Sequence, residues 1–128
     1  MEKYPSVTVK MLFKYADQIL ILKDRAGGVT FPGGKMKWQE SILGALRREL
    51  KEELDYSLVG EPKLFDVWNY ISQDGQKHLV MIYYIQQLDE KPKLISLEGS
   101  EMLWLTKEDF IKMNIIKDKK FVDRMFAS

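Results

Sequence analysis

The chain has 128 residues, 45% of them hydrophobic and 30% charged, with a formal net charge of +1 at pH 7. That length suits one domain with its own core, and the near-zero charge removes any global argument for nucleic acid, whose binders carry a clear basic excess. There is no cysteine, which excludes disulfides, thiolate zinc sites and cysteine nucleophiles.

The opening "MEKYPSVTVK" lacks an apolar stretch of signal-peptide type, and no run approaches the roughly 18 apolar residues of a membrane span. The expectation is a soluble, cytoplasmic protein with no membrane partner. No repeat, low-complexity tract or Pro/Gly/Ser-rich linker divides the chain, so residues 1–128 are read as a single domain.

In chain order, Val7, Val9, Met11, Phe13 and Tyr15 alternate with Thr8, Lys10 and Lys14, the period of a half-buried strand. "ADQ" turns the chain into "ILIL" (19–22), an unbroken apolar run that suits a strand covered on both faces. "RAGG" reads as a turn and "TFPGG" as a break where the chain bends sharply. Ile42, Leu46, Leu50 and Leu54, with Leu43, give residues 41–54 an apolar stripe of helical period. Two strands then meet at Asp74-Gly75, a hairpin dipeptide, and "HLVMIYYI" is apolar enough for the centre of a sheet. "EMLWL" is a further strand. Thr106 with Asp109 resembles a capping box, and Phe121, Val122, Met125 and Phe126 give a last helix one apolar face. Strands and helices mixed in this way predict an α/β fold, a mixed β-sheet with helices packed on it.

The helix over 41–54 holds the informative residues. At 100° per residue Glu49, Glu52 and Glu53 lie beside the buried stripe rather than opposite it. Glu49 faces Glu52 at i,i+3 and Glu53 at i,i+4, and each like-charge pair costs an isolated helix ~0.2–0.5 kcal/mol. A solvated face relieved by Arg48–Glu52 is one reading. A site for a hard divalent cation, Mg²⁺ or Mn²⁺, is the other, because carboxylates without His or Cys select such ions. Gly33 and Gly34 just upstream tip the balance, since they let backbone approach a ligand closely.

From Gly34 to Tyr56 the residues Gly34, Glu40, Arg48, Glu49, Leu50, Glu52, Glu53 and Tyr56 resemble the signature of the Nudix hydrolase family, Gly-x5-Glu-x7-Arg-Glu-(apolar)-x-Glu-Glu-x-Gly-(apolar). Asp55 stands where that signature has Gly, and Gln39, preceded by Trp38, stands where many members have Gly. Phe31-Pro32-Gly33-Gly34 also resembles the family's lead-in. The resemblance implies a Nudix-like α/β/α sandwich and a MutT-like nucleotide pyrophosphohydrolase. It implies Glu52 and Glu53 as main metal ligands, Glu49 as ligand or as the group that orients or deprotonates water, and Gly34 as a carbonyl ligand. It implies that Arg48 and Glu40 pair to hold the loop against the helix. Asp55 is expected to alter the helix end and leave metal binding intact, because Asp tolerates the left-handed region.

The short chain, without a zinc module, leans toward a nucleoside triphosphate cleaved to monophosphate and pyrophosphate. ADP-ribose, a dinucleoside polyphosphate, a capped RNA end and a non-catalytic nucleotide sensor are the alternatives, as is an acidic protein-interaction surface. A homodimer is left open. Trp68, Tyr70, Tyr83, Tyr84 and Trp104, with Phe31 and Trp38, are candidates to stack a base, although strand positions favour the core for each. His78 reads as a strand-end residue. Of the loop acids Glu98 and Glu101, Glu101 is the candidate catalytic aid, with solvent the favoured reading. Lys35, Lys37 and Arg47 are candidate phosphate contacts.

Overall fold

The computed structural model describes residues 4–127. Strand β1 (Ser6–Tyr15) turns at Ala16-Asp17 into β2 (Gln18–Lys23). Two short strands, β3 (Val29–Thr30) and β4 (Gly33–Lys35), flank Phe31-Pro32, where a bare break was expected. Helix α1 (Ile42–Leu54), strands β5 (Lys63–Ile71), β6 (His78–Leu88) and β7 (Glu101–Thr106), and helices α2 (Lys107–Lys112) and α3 (Lys119–Phe126) follow.

The sheet runs β3-β2-β1-β6-β5, with β7 on β2 and β4 on β1. Among the described residues only β1 and β6 pair in parallel, from Ser6↔Leu79 to Tyr15↔Leu88, so the sheet is mixed as expected. Along one edge β1 forks. Its end pairs β2 at Tyr15↔Gln18, and its start pairs β4 through Thr8, Val9 and Lys10. The fork carries the Pro32–Gly34 lead-in into the sheet, where the Met11 N–H bonds the Pro32 carbonyl at 2.8 Å.

Helices cover both sides of the sheet. Ala45, Leu46, Leu50 and Leu54 pack on Val9, Met11, Phe13, Leu20 and Leu22. Phe110, Phe121, Val122 and Met125 pack on Leu12, Ile19, Ile21 and Tyr83. β1 is therefore buried on both faces rather than half-buried. Lys14, expected on a polar face, is only 4% exposed and donates its ammonium to the Ala127 carbonyl at 2.5 Å. Ile42, counted into the helical stripe, is exposed.

Local chemistry sets the ends of α1. Ser41 is the N-cap, its Oγ accepting from the Gly44 N–H at 3.0 Å. Asp55 closes the helix in the left-handed region at φ 52°, and the Tyr56 N–H reaches back to the Leu50 carbonyl at 3.2 Å, a Schellman-type end built without glycine. Residues 94–97 then run past that end. Their Ile95 and Leu97 N–H groups bond the Leu54 and Glu53 carbonyls, each at 3.0 Å, filling acceptors that the last turn leaves open. The β5–β6 link is a loop over 72–77 rather than a two-residue turn. In it Asp74 accepts from the Ser72 hydroxyl and the Gln76 N–H, and the Ser72 N–H bonds the Lys77 carbonyl. No helix among the described residues is long and apolar enough to cross a membrane.

Candidate active site

The lead-in of β4 and one flank of α1 meet through two glycines. Gly33 sits at φ 135°, and a Cβ there would lie 2.1 Å from the Val9 carbonyl oxygen, so β1 and β4 close only on glycine. Its N–H donates to Glu53 Oε1 at 3.0 Å. At Gly34 a Cβ would lie 2.5 Å from the Glu49 carboxyl group. Both acids thus rest against bare backbone, which is what the glycine pair permits.

Arg48 organises the other side. Its Nε and Nη2 grip both Glu40 oxygens at 2.7 and 2.9 Å, a bidentate pair, and Nη2 also donates to the Lys35 carbonyl at 2.9 Å. Glu40 Oε1 accepts in addition from the Lys37 N–H at 2.7 Å. The Arg48 hydrogen bonds, then the Lys37 N–H, hold the Glu40 carboxyl down at about 2. The expected Glu40–Arg48 pair is present and closes loop 35–40 onto the helix. The Arg48 Nη1 reaches Glu49 at 2.9 Å and Glu52 at 3.3 Å. Glu49 is 17% exposed and Glu52 50%, the gradation predicted by their distance from the apolar stripe.

Glu53 is the acid with no arginine. Burial pushes its carboxyl above the usual range, and the Gly33 N–H and the Lys10 ammonium pull it partly back. Two groups near it differ from the sequence expectation. Lys10, taken as a solvent-facing strand residue, is partly buried, donates to the Phe31 carbonyl at 3.1 Å and feels the fields of Glu53 and Glu49. Glu98 is the loop acid whose charge reaches Glu53. Glu101, preferred from sequence, opens β7 opposite Lys23.

The candidate aromatic residues divide. Tyr84 and Trp104 pack toward α1; Phe31 and Tyr83 are buried on the other face. Trp68 and the exposed Tyr70 line a groove of about 510 Å³ with Ile115, Ile116, Lys117 and Asp118. Trp38 is 79% exposed and lies edge-on to Tyr4 at 6.0 Å, next to Gln39 at φ 67°. His78 is exposed and neighbours Asn69 at 3.4 Å, away from the acids. Lys35, Lys37 and Arg47 are exposed.

Among the described residues no three carboxylate or imidazole groups converge on one point. Glu49 and Glu52 turn to Arg48, and Glu53 turns to Gly33. The donor set nevertheless fits a hard divalent cation: three carboxylates within five residues of one helix, no soft ligand, and a side-chain-free Gly34 directly against the Glu49 carboxyl group.

Known proteins share this architecture. A MutT NUDIX hydrolase crystal structure from Burkholderia pseudomallei superposes with a TM-score of 0.77 at 23% identity, covering 98% of this chain and 100% of that one. A MutT protein from Bacillus halodurans gives 0.74 at 26%, covering 96% and 83%. In sequence, an 8-oxo-dGTP diphosphatase of Buchnera aphidicola is 35% identical over 74 residues, 58% of this chain and 56% of the relative. An uncharacterized Nudix hydrolase of Bacillus subtilis is 38% identical over 65 residues, 50% and 40% of the two chains. This chain therefore matches only about half the length of those curated relatives. The NUDIX domain model matches residues 4–125, from before β1 into the last turn of α3, and the chain belongs to that family.

Proposed function

We propose that the chain is a divalent-metal-dependent pyrophosphohydrolase that cleaves a nucleoside triphosphate to the monophosphate and pyrophosphate. The observation that carries this reading is Glu53: a partly buried carboxylate held by one backbone N–H, with no arginine partner, beside Glu49 and Glu52. Burying an unpaired carboxylate is costly, and a site that accepts the cost is suited to an incoming cation. Mg²⁺ or Mn²⁺, when bound, would neutralise phosphate oxygens and acidify an attacking water. Glu52, Glu53 and the Gly34 carbonyl are the residues assigned to hold it.

Glu49, resting on Gly34 and oriented by Arg48, is assigned the proton of the attacking water or a share of the metal. Positioned general bases contribute ~10²–10⁴ in rate. Arg48 and Glu40 keep loop 35–40 against α1, so that these acids do not move with the loop. The nucleobase is assigned to the groove beside Trp68 and Tyr70, whose volume lies in the range of small-molecule sites. The name of the Buchnera relative makes 8-oxo-dGTP the first triphosphate to try.

The test is pyrophosphate and phosphate release from a panel of nucleoside triphosphates, ADP-ribose and dinucleoside polyphosphates, with and without Mg²⁺ or Mn²⁺. Wild type is compared with Glu53→Gln. Metal-dependent triphosphate turnover that falls by at least ~10² in Glu53→Gln is the expected result. Turnover of ADP-ribose alone reassigns the substrate, and tight binding without hydrolysis turns the protein into a nucleotide sensor.

A further inference from the structure

One cation on the face covered by α2 and α3 has no role in the chemistry described so far. Lys10 lies in the middle of β1, opposite Gly33 on β4 and Tyr83 on β6. Residues paired across strands share a face, so Gly33, Lys10 and Tyr83 form one row, which Asp66 on β5 continues. A lysine that merely covered apolar surface would carry its head out to water. This one is partly buried and turns its ammonium under the lead-in loop, donating to the Phe31 carbonyl. Among the described residues that is its sole hydrogen bond, and it forms no ion pair. Two of its three donors are therefore unspent.

Its surroundings say what those donors suit. Burial disfavours the charged ammonium, and on one side the α1 acids Glu53 and Glu49 offset part of that cost. On the other is Tyr83, whose ring meets Trp68 at 5.1 Å beside the groove. The row therefore leads from an aromatic groove across Lys10 to Gly33, whose N–H holds Glu53. From β6 to β4 is two interstrand steps, ~10 Å, the scale of a triphosphate chain. A cation next to a divalent-metal site weakens metal binding by repulsion, and that disadvantage is reversed only when an anion spans both charges.

We propose that Lys10 is a substrate-binding residue that contacts a phosphate of the nucleotide, between the groove and the acidic helix. This deepens the hydrolase reading and rests on it. An ammonium serves as a point-charge ligand for phosphate, and a charge-assisted bond of this kind corresponds to ~10-fold or more in affinity.

Calorimetry on wild type, Lys10→Met and Lys10→Gln separates the alternatives, using two probes. One is a guanine deoxynucleoside α,β-methylene triphosphate in Mg²⁺, and the other is Mn²⁺ alone. The expected result is opposite shifts: the triphosphate analogue weakens ~10-fold, while Mn²⁺ alone binds more tightly because the repelling charge is gone. A packing defect would not tighten metal binding, and two replacements of different polarity guard against a fault peculiar to one. Analogue affinity within about twofold of wild type in both variants, or Mn²⁺ binding that weakens in parallel, overturns the assignment. If wild type hydrolyses nucleotides while the Lys10 variants bind the analogue normally, only Lys10 is wrong. If wild type neither binds the analogue nor turns over any nucleotide, the hydrolase reading falls and takes this proposal with it.

Discussion

Against α1 the sheet packs mostly aliphatic side chains, Val9, Met11, Leu20 and Leu22 with the single fully buried ring Phe13, onto Ala45, Leu46, Leu50 and Leu54. Against α2 and α3 it packs rings: Phe31 on Tyr83 and Phe110, Trp68 on Tyr83 and Phe121, Phe65 on Phe121. Among the described residues the α1 side carries no buried cation. The aromatic side carries Lys10 and Lys14 and leaves an open groove along Trp68 and Tyr70. Aromatic faces suit a second ring, and along the groove they are the surfaces on offer. The difference suggests a division of labour in which the aliphatic side fixes the helix that bears the acids and the aromatic side receives what those acids act on.

Substitutions can break that division. The largest effect is expected at Glu53. Glu53→Gln should abolish most turnover yet melt no lower than wild type in metal-free buffer, because burial disfavours the charge that the substitution removes. A thermal scan beside the activity assay checks both halves. Leu50→Ala, fully inside the aliphatic core, should cost ~2–5 kcal/mol of stability by leaving a cavity. Denaturant unfolding gives the number, and a loss below ~1 kcal/mol would refute the picture of a tightly packed support.

Trp68→Ala should do the reverse, raising KM by ~10-fold or more through lost stacking while changing kcat little. Steady-state kinetics with an unchanged KM would move the base elsewhere. Glu40 supplies a pH test. Its folded carboxyl is held at about 2 against an ordinary 4.5, so its pairing with Arg48 contributes stability above 4.5 that is lost as pH falls toward 2. Glu40→Gln should flatten the unfolding free energy across that window, and an unchanged slope would deny the pair its role. The smallest effect is expected at Asp55→Gly, a gain of ~1 kcal/mol or less from relieving a left-handed residue, with activity unaltered. A large rise in activity without a rise in stability would show that the helix end governs the acids.

What the sequence made legible was whatever is local and periodic. β2 reads from four apolar residues in a row, and α1 from its four-residue stripe and the acids beside it. The Glu40–Arg48 pair came through the resemblance to a family signature, because nothing in the spacing of a loop and a helix dictates that contact. The rest depends on partners far away in the chain. β3 and β4 are too short, and too rich in Pro and Gly, to show a period, and they exist because β2 and β1 offer edges to pair with. Lys10 looked solvent-facing because alternation assigns a side but not what covers it, and here its ammonium lies under the lead-in loop at the Phe31 carbonyl. Glu98 outranks Glu101 because residues 94–97 are tied to the end of α1, and neither loop acid shows that in its own neighbourhood.

That tie also makes the last turn of α1 open to observation from outside the helix. The Ile95 and Leu97 amides donate to the Leu54 and Glu53 carbonyls, so their exchange with solvent is expected to require that these acceptors move away. In a deuterium-exchange experiment these two amides act as local gauges of the turn that holds Glu53. Slower exchange on adding a divalent cation would report that the turn has stiffened, in a region of the spectrum that no catalytic side chain occupies.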